Sequence, residues 1–212
     1  MTTSSVQASL AEKAAVLKGK QPAKKRKSTW HQPTLEDLAE GTVLAFDQTF
    51  SKTGFAVVKR GLFGLTVLAH GFLNEPPIPD SPRFWDILQR TEWMGERMGG
   101  VVRDTRSMLG PGQGFEVVHE APILHGMRVE SSLLGAVKVW EACKANGLPQ
   151  PTIVENRHML NTLCPPTDRS GKPAIKRAVN QFHDTNKGWN EHNRDALALA
   201  LTHLIFKKRA TS

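Results

Sequence analysis

Residues 43–58 limit the possible folds more than any other stretch. Val43-Leu44-Ala45-Phe46 is an unbroken apolar run ending on Asp47. After a polar turn with Thr53-Gly54 comes a second run, Phe55-Ala56-Val57-Val58. Short apolar runs bounded by turn residues read as buried strands, so the stretch predicts two neighbouring strands. Side chains alternate along a strand, which puts Val43, Ala45 and Asp47 on one face. A carboxylate thus continues a core row out to a sheet edge. Taken singly, an Asp there is a turn or cap residue. Its meaning depends on what else the chain brings beside it.

The strands are expected at 42–47 and 54–59, with a third over Leu65–Gly71; strands this close in sequence form an antiparallel meander. Residues 74–80 carry three prolines and read as a loop. Ser81-Pro82 then caps and opens a helix running to about Leu109. Gly110-Pro111-Gly112-Gln113-Gly114 has neither the dinucleotide-binding nor the P-loop spacing, and a strand follows it rather than a helix. It reads as a turn, and no nucleotide cofactor is expected. The strand Phe115–His119 ends on Glu120, a second apolar run closed by a carboxylate. A helix over 129–145 stops at Asn146-Gly147, a strand follows over 151–155, and a short helix over 156–163. A basic helix is expected over 172–183. The last helix, 191–208, contains Ala196-Leu197-Ala198-Leu199-Ala200-Leu201, apolar nearly all round and therefore heavily buried. This order predicts an α/β fold, a mixed five-stranded sheet flanked by helices on both faces.

Charge divides the chain further. Seven of the 28 basic residues lie before Thr29, opposed there only by Glu12, so most of the net +8 sits in the first 28 positions. Residues 1–29 are expected to be a disordered basic arm, 30–41 a connector, and 42–209 the folded domain. Lys24-Lys25-Arg26-Lys27 reads as a nuclear-type signal, a DNA-clinging arm or a solvated tail. A basic arm on a nearly neutral body favours a polyanion partner, nucleic acid before membrane. No apolar run approaches membrane-spanning length, and no signal peptide is visible. Cys143 and Cys164 are too few for a disulfide scaffold. A reducing compartment is expected, the cytoplasm of a bacterial or phage-infected cell, with the Lys-rich arm leaving nuclear or organellar delivery open.

Three pieces then stand out: Asp47 closing the first strand, Glu120 closing the fourth, and Glu191-His192-Asn193-Arg194-Asp195 opening the last helix. His192 and Asp195 are three apart and share a helix face. If the first and fourth strands are parallel neighbours, Asp47 and Glu120 emerge side by side, and a helix docking its first turn there adds His192 and Asp195. Three carboxylates and an imidazole form a hard donor set suited to Mg²⁺ or Mn²⁺. Two such ions about 3.5–4 Å apart suit phosphodiester hydrolysis. Singly, Glu120 is a loop residue, and His192 and Asp195 are capping or surface residues; the joint pattern at element ends carries the argument.

These residues resemble a family. Asp47 followed by Thr53-Gly54-Phe55, Glu120 after Val117-Val118, and His192-x-x-Asp195 leading into an apolar helix are similar to the RuvC-type Holliday junction resolvases, over about 42–206. The resemblance implies a ribonuclease-H-like fold and a homodimer with two Mg²⁺ or Mn²⁺ ions per active site. It implies an endonuclease making paired symmetric nicks in four-way DNA junctions during recombination or repair. It also implies metal-binding, catalytic roles for Asp47, Glu120, His192 and Asp195, with Glu191 as the alternative to His192. Lys172 matches a DNA-contacting lysine, and Lys176 and Arg177 are placed to hold phosphates. The family often has a wedge aromatic three residues after the second carboxylate. Ile123 stands there, keeping bulk without the stacking. A second family lysine falls near Leu160, with Arg157 close by. The arm lies outside the family pattern and suggests a divergent member, a phage origin being open.

The apolar residues Leu133, Leu134, Val137 and Trp140 of helix 129–145 are either a dimer face or intramolecular core. Two further functional readings compete. One is another ribonuclease-H-like nuclease cutting other branched DNA or RNA–DNA hybrids. The other is a non-catalytic DNA-binding protein on the same fold. An actin-like ATPase or sugar kinase would need a second phosphate-binding loop and more chain.

Overall fold

The computed structural model describes residues 30–48, 52–74, 83–123 and 129–212. Lys24, Lys25, Arg26, Lys27 and the Ser81-Pro82 helix start lie outside the described residues. His31–Ser212 forms one compact unit. It holds five strands: β1 (Gly41–Gln48), β2 (Lys52–Gly61), β3 (Gly64–Asn74), β4 (Glu116–Glu120) and β5 (Thr152–Val154). Its helices are α1 (Arg83–Leu109), α2 (Val129–Ala145), α3 (Asn156–Leu163), α4 (Lys172–Val179) and α5 (Glu191–Thr211).

The strand order is β3-β2-β1-β4-β5. β1, β2 and β3 pair antiparallel; β4 runs parallel to β1, and β5 parallel to β4. β1 is buried on both faces, which explains its continuous apolar run. Val43 and Ala45 join Ala56, Val58, Val118 and Val154 beneath α3, α4 and α5. Leu44 and Phe46 join Val57 and Val117 against Met94, Met98 and Val102 of α1 and Val139, Ala142 and Cys143 of α2. This is the mixed sheet with helices on both faces that the element order predicts. Both cysteines are free and buried.

α5 is the central helix of one face. Leu197, Leu199, Leu201 and Leu204 are at most 1% exposed, each stabilising the core by about 1.5–3 kcal/mol. Its start is set by Asn190, whose Oδ1 accepts from the Asn193 amide at 2.9 Å; such a cap contributes about 1 kcal/mol. No helix among the described residues is long and apolar enough to cross a membrane.

Two local expectations are corrected. Thr53 and Gly54 belong to β2 rather than to the turn, pairing with Gln48 and Asp47 of β1. α4 ends at Val179 instead of continuing to His183. There the Asn180 Oδ1 accepts from both the amide and the hydroxyl of Thr185, which holds the chain in a turn.

Candidate functional site

β1 and β4 are parallel neighbours, with Phe46 opposite His119. Asp47 and Glu120 therefore leave the sheet side by side at the same edge. β5 ends at that edge too, so Asn156 at the start of α3 reaches the Glu120 Oε1, donating from Nδ2 at 3.0 Å. α5 lays its first turn across β2 beside Asp47. His192 Nδ1 donates to Asp47 Oδ2 at 2.6 Å. The edge thus brings Asp47, Glu120, His192 and Asp195 together.

Gly54 makes this docking possible. A Cβ on Gly54 would stand 2.3 Å from the His192 carbonyl carbon and 2.7 Å from the Asn193 nitrogen. Both are backbone atoms of α5 and cannot swing aside. The glycine is needed for close approach rather than for a turn. Phe72 of β3, the register partner of Gly54, stacks on the His192 ring with a 5.3 Å centroid separation and a 19° interplanar angle. His70, two residues earlier, stacks on Trp189 at 4.0 Å and lies 3.3 Å from the Asn193 side chain. Three strands and a loop therefore fix the first turn of α5.

The electrostatics mark this edge. Burial, then the neighbouring charge of Asp47, pushes Glu120 up to about 7. Burial and the same Asp47 charge push Asp195 up to about 7. The hydrogen bond to Asp47 raises His192 above its ordinary value. The other end of β4 provides a contrast. Burial also raises Glu116, but Lys207 and His203 bond to it and bring it below the ordinary carboxylate range. Carboxylates at the Asp47 edge repel one another, and a cation between them would relieve that repulsion. The donor set, three carboxylates and an imidazole, fits a hard divalent ion. As the side chains stand, no three His, Cys, Asp or Glu among the described residues are arranged to hold one. Asp47 Oδ2 is engaged by His192 and Glu120 Oε1 by Asn156.

The other expected residues surround the edge. Lys172 opens α4 and lies 2.7 Å from Glu191. Lys176 and Arg177 are exposed on the same helix, Arg177 bonded to Asp168. Ile123 is 39% exposed, its amide donating to Ser132 Oγ. Asn156 and Phe72 are not legible as site residues in the sequence, and Gly54, part of the motif after Asp47, reads there as a turn glycine. Asn156 carries a local signal, its place at the end of the strand next to Glu120. On α2, the buried face is Ala136, Val139, Ala142 and Cys143, whereas Leu133, Val137 and Trp140 are exposed and Leu134 is partly so.

Comparison with solved structures settles the fold. Thermus thermophilus RuvC in complex with a Holliday junction substrate superposes with a TM-score of 0.61 at 18% identity, covering 81% of this chain and 97% of that one. A second Thermus thermophilus RuvC structure gives 0.60, again at 18% identity, over 80% and 97%. The fold is RuvC-like. It is the ribonuclease-H-like α/β architecture in a divergent sequence. No family model and no curated protein matches the chain by sequence.

Proposed function

We propose that the chain is a divalent-metal-dependent, structure-selective DNA endonuclease of the RuvC type, resolving four-way junctions by paired symmetric nicks. The observation that carries this reading is the meeting of Asp47, Glu120, His192 and Asp195 at one sheet edge, with two carboxylates pushed up to about 7. These four residues would hold Mg²⁺ or Mn²⁺. Bound ions would supply an activated water and charge stabilisation at the leaving 3′-oxygen. The chain's own part is positioning. Phe72 and Asp47 hold the His192 ring, and Asn156 holds Glu120. α4 presents Lys172 and Lys176 beside Asp195 around a depression of about 250 Å³, where cations suit the DNA backbone. The RuvC structure that the fold resembles was solved with a Holliday junction, which favours branched DNA as the substrate.

Paired nicks need two sites at a fixed spacing, hence a homodimer. Leu133, Val137 and Trp140, at helical spacing on α2, are 44%, 42% and 39% exposed. Val137 and Trp140, with Ile153, Pro122 and Pro151, line a shallow depression of about 240 Å³. An exposed apolar patch of this kind suits a subunit contact.

The test is a cleavage comparison in Mg²⁺ between a mobile four-way junction, a fork, a flap, linear duplex and an RNA–DNA hybrid. Junction cutting in opposed strands, well above the others, is expected. Equal cutting of linear duplex or hybrid would reject the resolvase reading. Absence of cutting on every substrate would reject the nuclease.

A further inference from the structure

Two of the three helix cations assigned to DNA are already neutralised within the protein. Lys172 Nζ lies 2.7 Å from Glu191 Oε2, and Arg177 Nη2 lies 2.5 Å from Asp168 Oδ2. Ser170 donates to the same Asp168, fixing that second pair beside the loop. Lys176 has no ion-pair partner among the described residues. The first pair matters more, because of where it stands. Lys172 opens α4 and Glu191 opens α5, so the pair bridges the two helices. Together with Lys176, Arg194 and Asp195 they wall the depression next to the carboxylate edge. Glu191 Oε1 also lies 3.7 Å from His192 Nε2.

Both partners are about half exposed, 56% and 53%. An ion pair this open is weak and exchanges readily. A phosphate oxygen entering the depression meets a lysine that already holds an anion, and it meets that anion as well. We propose that Glu191 is an internal competitor for the phosphate at Lys172 and thereby sets how tightly the chain holds DNA. The inference rests on the DNA-binding part of the function proposed above.

The chemistry is an exchange of partners with no change of protonation. Lys172 trades a carboxylate for a phosphate oxygen. Glu191 stays anionic at the rim, beside the new contact. An ordinary lysine–phosphate contact releases one counterion and steepens the salt dependence of binding by about 0.9 log unit per log unit of salt. Here the Glu191 carboxylate, left beside the bound phosphate, offsets the charge that Lys172 brings, so the pair meets the DNA as a nearly neutral unit. Lys172 then contributes almost nothing to the slope, although it touches the backbone. Specificity follows from the same restraint. Casual contact with linear DNA gains little at this position, so phosphates must be delivered by the rest of the interface.

The experiment measures equilibrium binding of a four-way junction to the full chain in EDTA, over about 50–200 mM salt. The proteins are wild type, Glu191→Gln, Lys172→Gln and the double variant. Glu191→Gln is expected to bind about two- to fivefold tighter with a slope steeper by about 0.9. In the Lys172→Gln background the same change should leave the slope unaltered and bring little of the gain in affinity. If Glu191→Gln acts equally in both backgrounds, Glu191 merely repels DNA at a distance and the proposal is overturned. Weaker binding by Glu191→Gln overturns it as well. The nuclease reading is judged separately, by wild-type cutting in Mg²⁺. A coupled pair in a chain that cuts nothing would support this inference and reject that reading.

Discussion

Replacing Gly54 by alanine adds one methyl group at the place where β2 meets the first turn of α5. The added carbon would stand 2.3 Å from the His192 carbonyl carbon and 2.4 Å from its oxygen. Ordinary carbon–carbon contact begins near 3.5 Å, so the helix start or the strand must retreat by about 1.2 Å. Neither yields easily. α5 is anchored by fully buried leucines, and β2 is paired on both sides. Overpacking of this kind destabilises by about 1–3 kcal/mol, or roughly 3–10 °C in unfolding temperature for a domain of this size. The larger effect falls on the site, because the displaced atoms belong to His192 itself. A misplacement of ~1 Å in a positioned reacting group costs on the order of 10²-fold in rate. The assay is single-turnover cleavage of a synthetic four-way junction at saturating enzyme, with junction binding in EDTA and thermal unfolding alongside. Gly64→Ala is the control, since nothing lies within 4 Å of a Cβ there. The expected result is a Gly54→Ala protein that is folded and binds the junction but cuts it at about a hundredth of the wild-type rate. Wild-type cutting together with an unchanged unfolding temperature would refute the close approach and the site built on it.

Three further outcomes are expected. Asp47→Asn keeps its size and loses its charge; it should abolish Mg²⁺-dependent cleavage while junction binding in EDTA persists, and unchanged cleavage would reject the assigned chemistry. Glu120 and Asp195 are pushed up to about 7 from ordinary values near 4, and His192 is raised above its own. For the acids, the folded state keeps protons that the unfolded state has given up; for the histidine, the stabilisation fades as pH climbs through its raised value. All three effects make the metal-free protein less stable as pH rises from about 4 to 8, on the order of 3 kcal/mol for the coupled edge. Unfolding temperatures in EDTA should fall over that range, less steeply in Asp195→Asn, and added Mg²⁺ should stabilise more at the alkaline end; a rise with pH would contradict the site electrostatics. Removing residues 1–29 takes away seven basic side chains against one acid. It should weaken junction binding and flatten its salt dependence by about 0.9 for each phosphate the arm neutralises, with the cleavage pattern intact at saturating enzyme. Loss of cutting there would give the arm a role in chemistry.

Much of this molecule is local, and the sequence alone determined that part. The runs ending at Asp47 and Glu120, the stop at Asn146-Gly147 and the all-apolar turns of α5 depend on neighbouring residues only, so strands, helices and strand-end carboxylates could be read in order. The spacing of His192 and Asp195 gave their shared helix face by the same logic. Only the tertiary structure decided how those pieces touch. Thr53-Gly54 looked like a turn because glycine marks turns in short-range statistics; its actual role is to admit a helix from about 140 residues further along the chain, which no neighbour announces. Phe72 reads as an ordinary strand aromatic until β3 is seen to pass under His192. Leu133, Val137 and Trp140 have the same periodicity whether they fill a core or face solvent, and packing against Met94 and Met98 chose the other side of α2 for the interior. Lys172 is a free cation on paper and a paired one in the fold, because Glu191 reaches it from a different helix. Alternation, capping and periodicity act over a few residues, whereas close approach, stacking and charge pairing depend on distances in space that the chain sets only after it has packed.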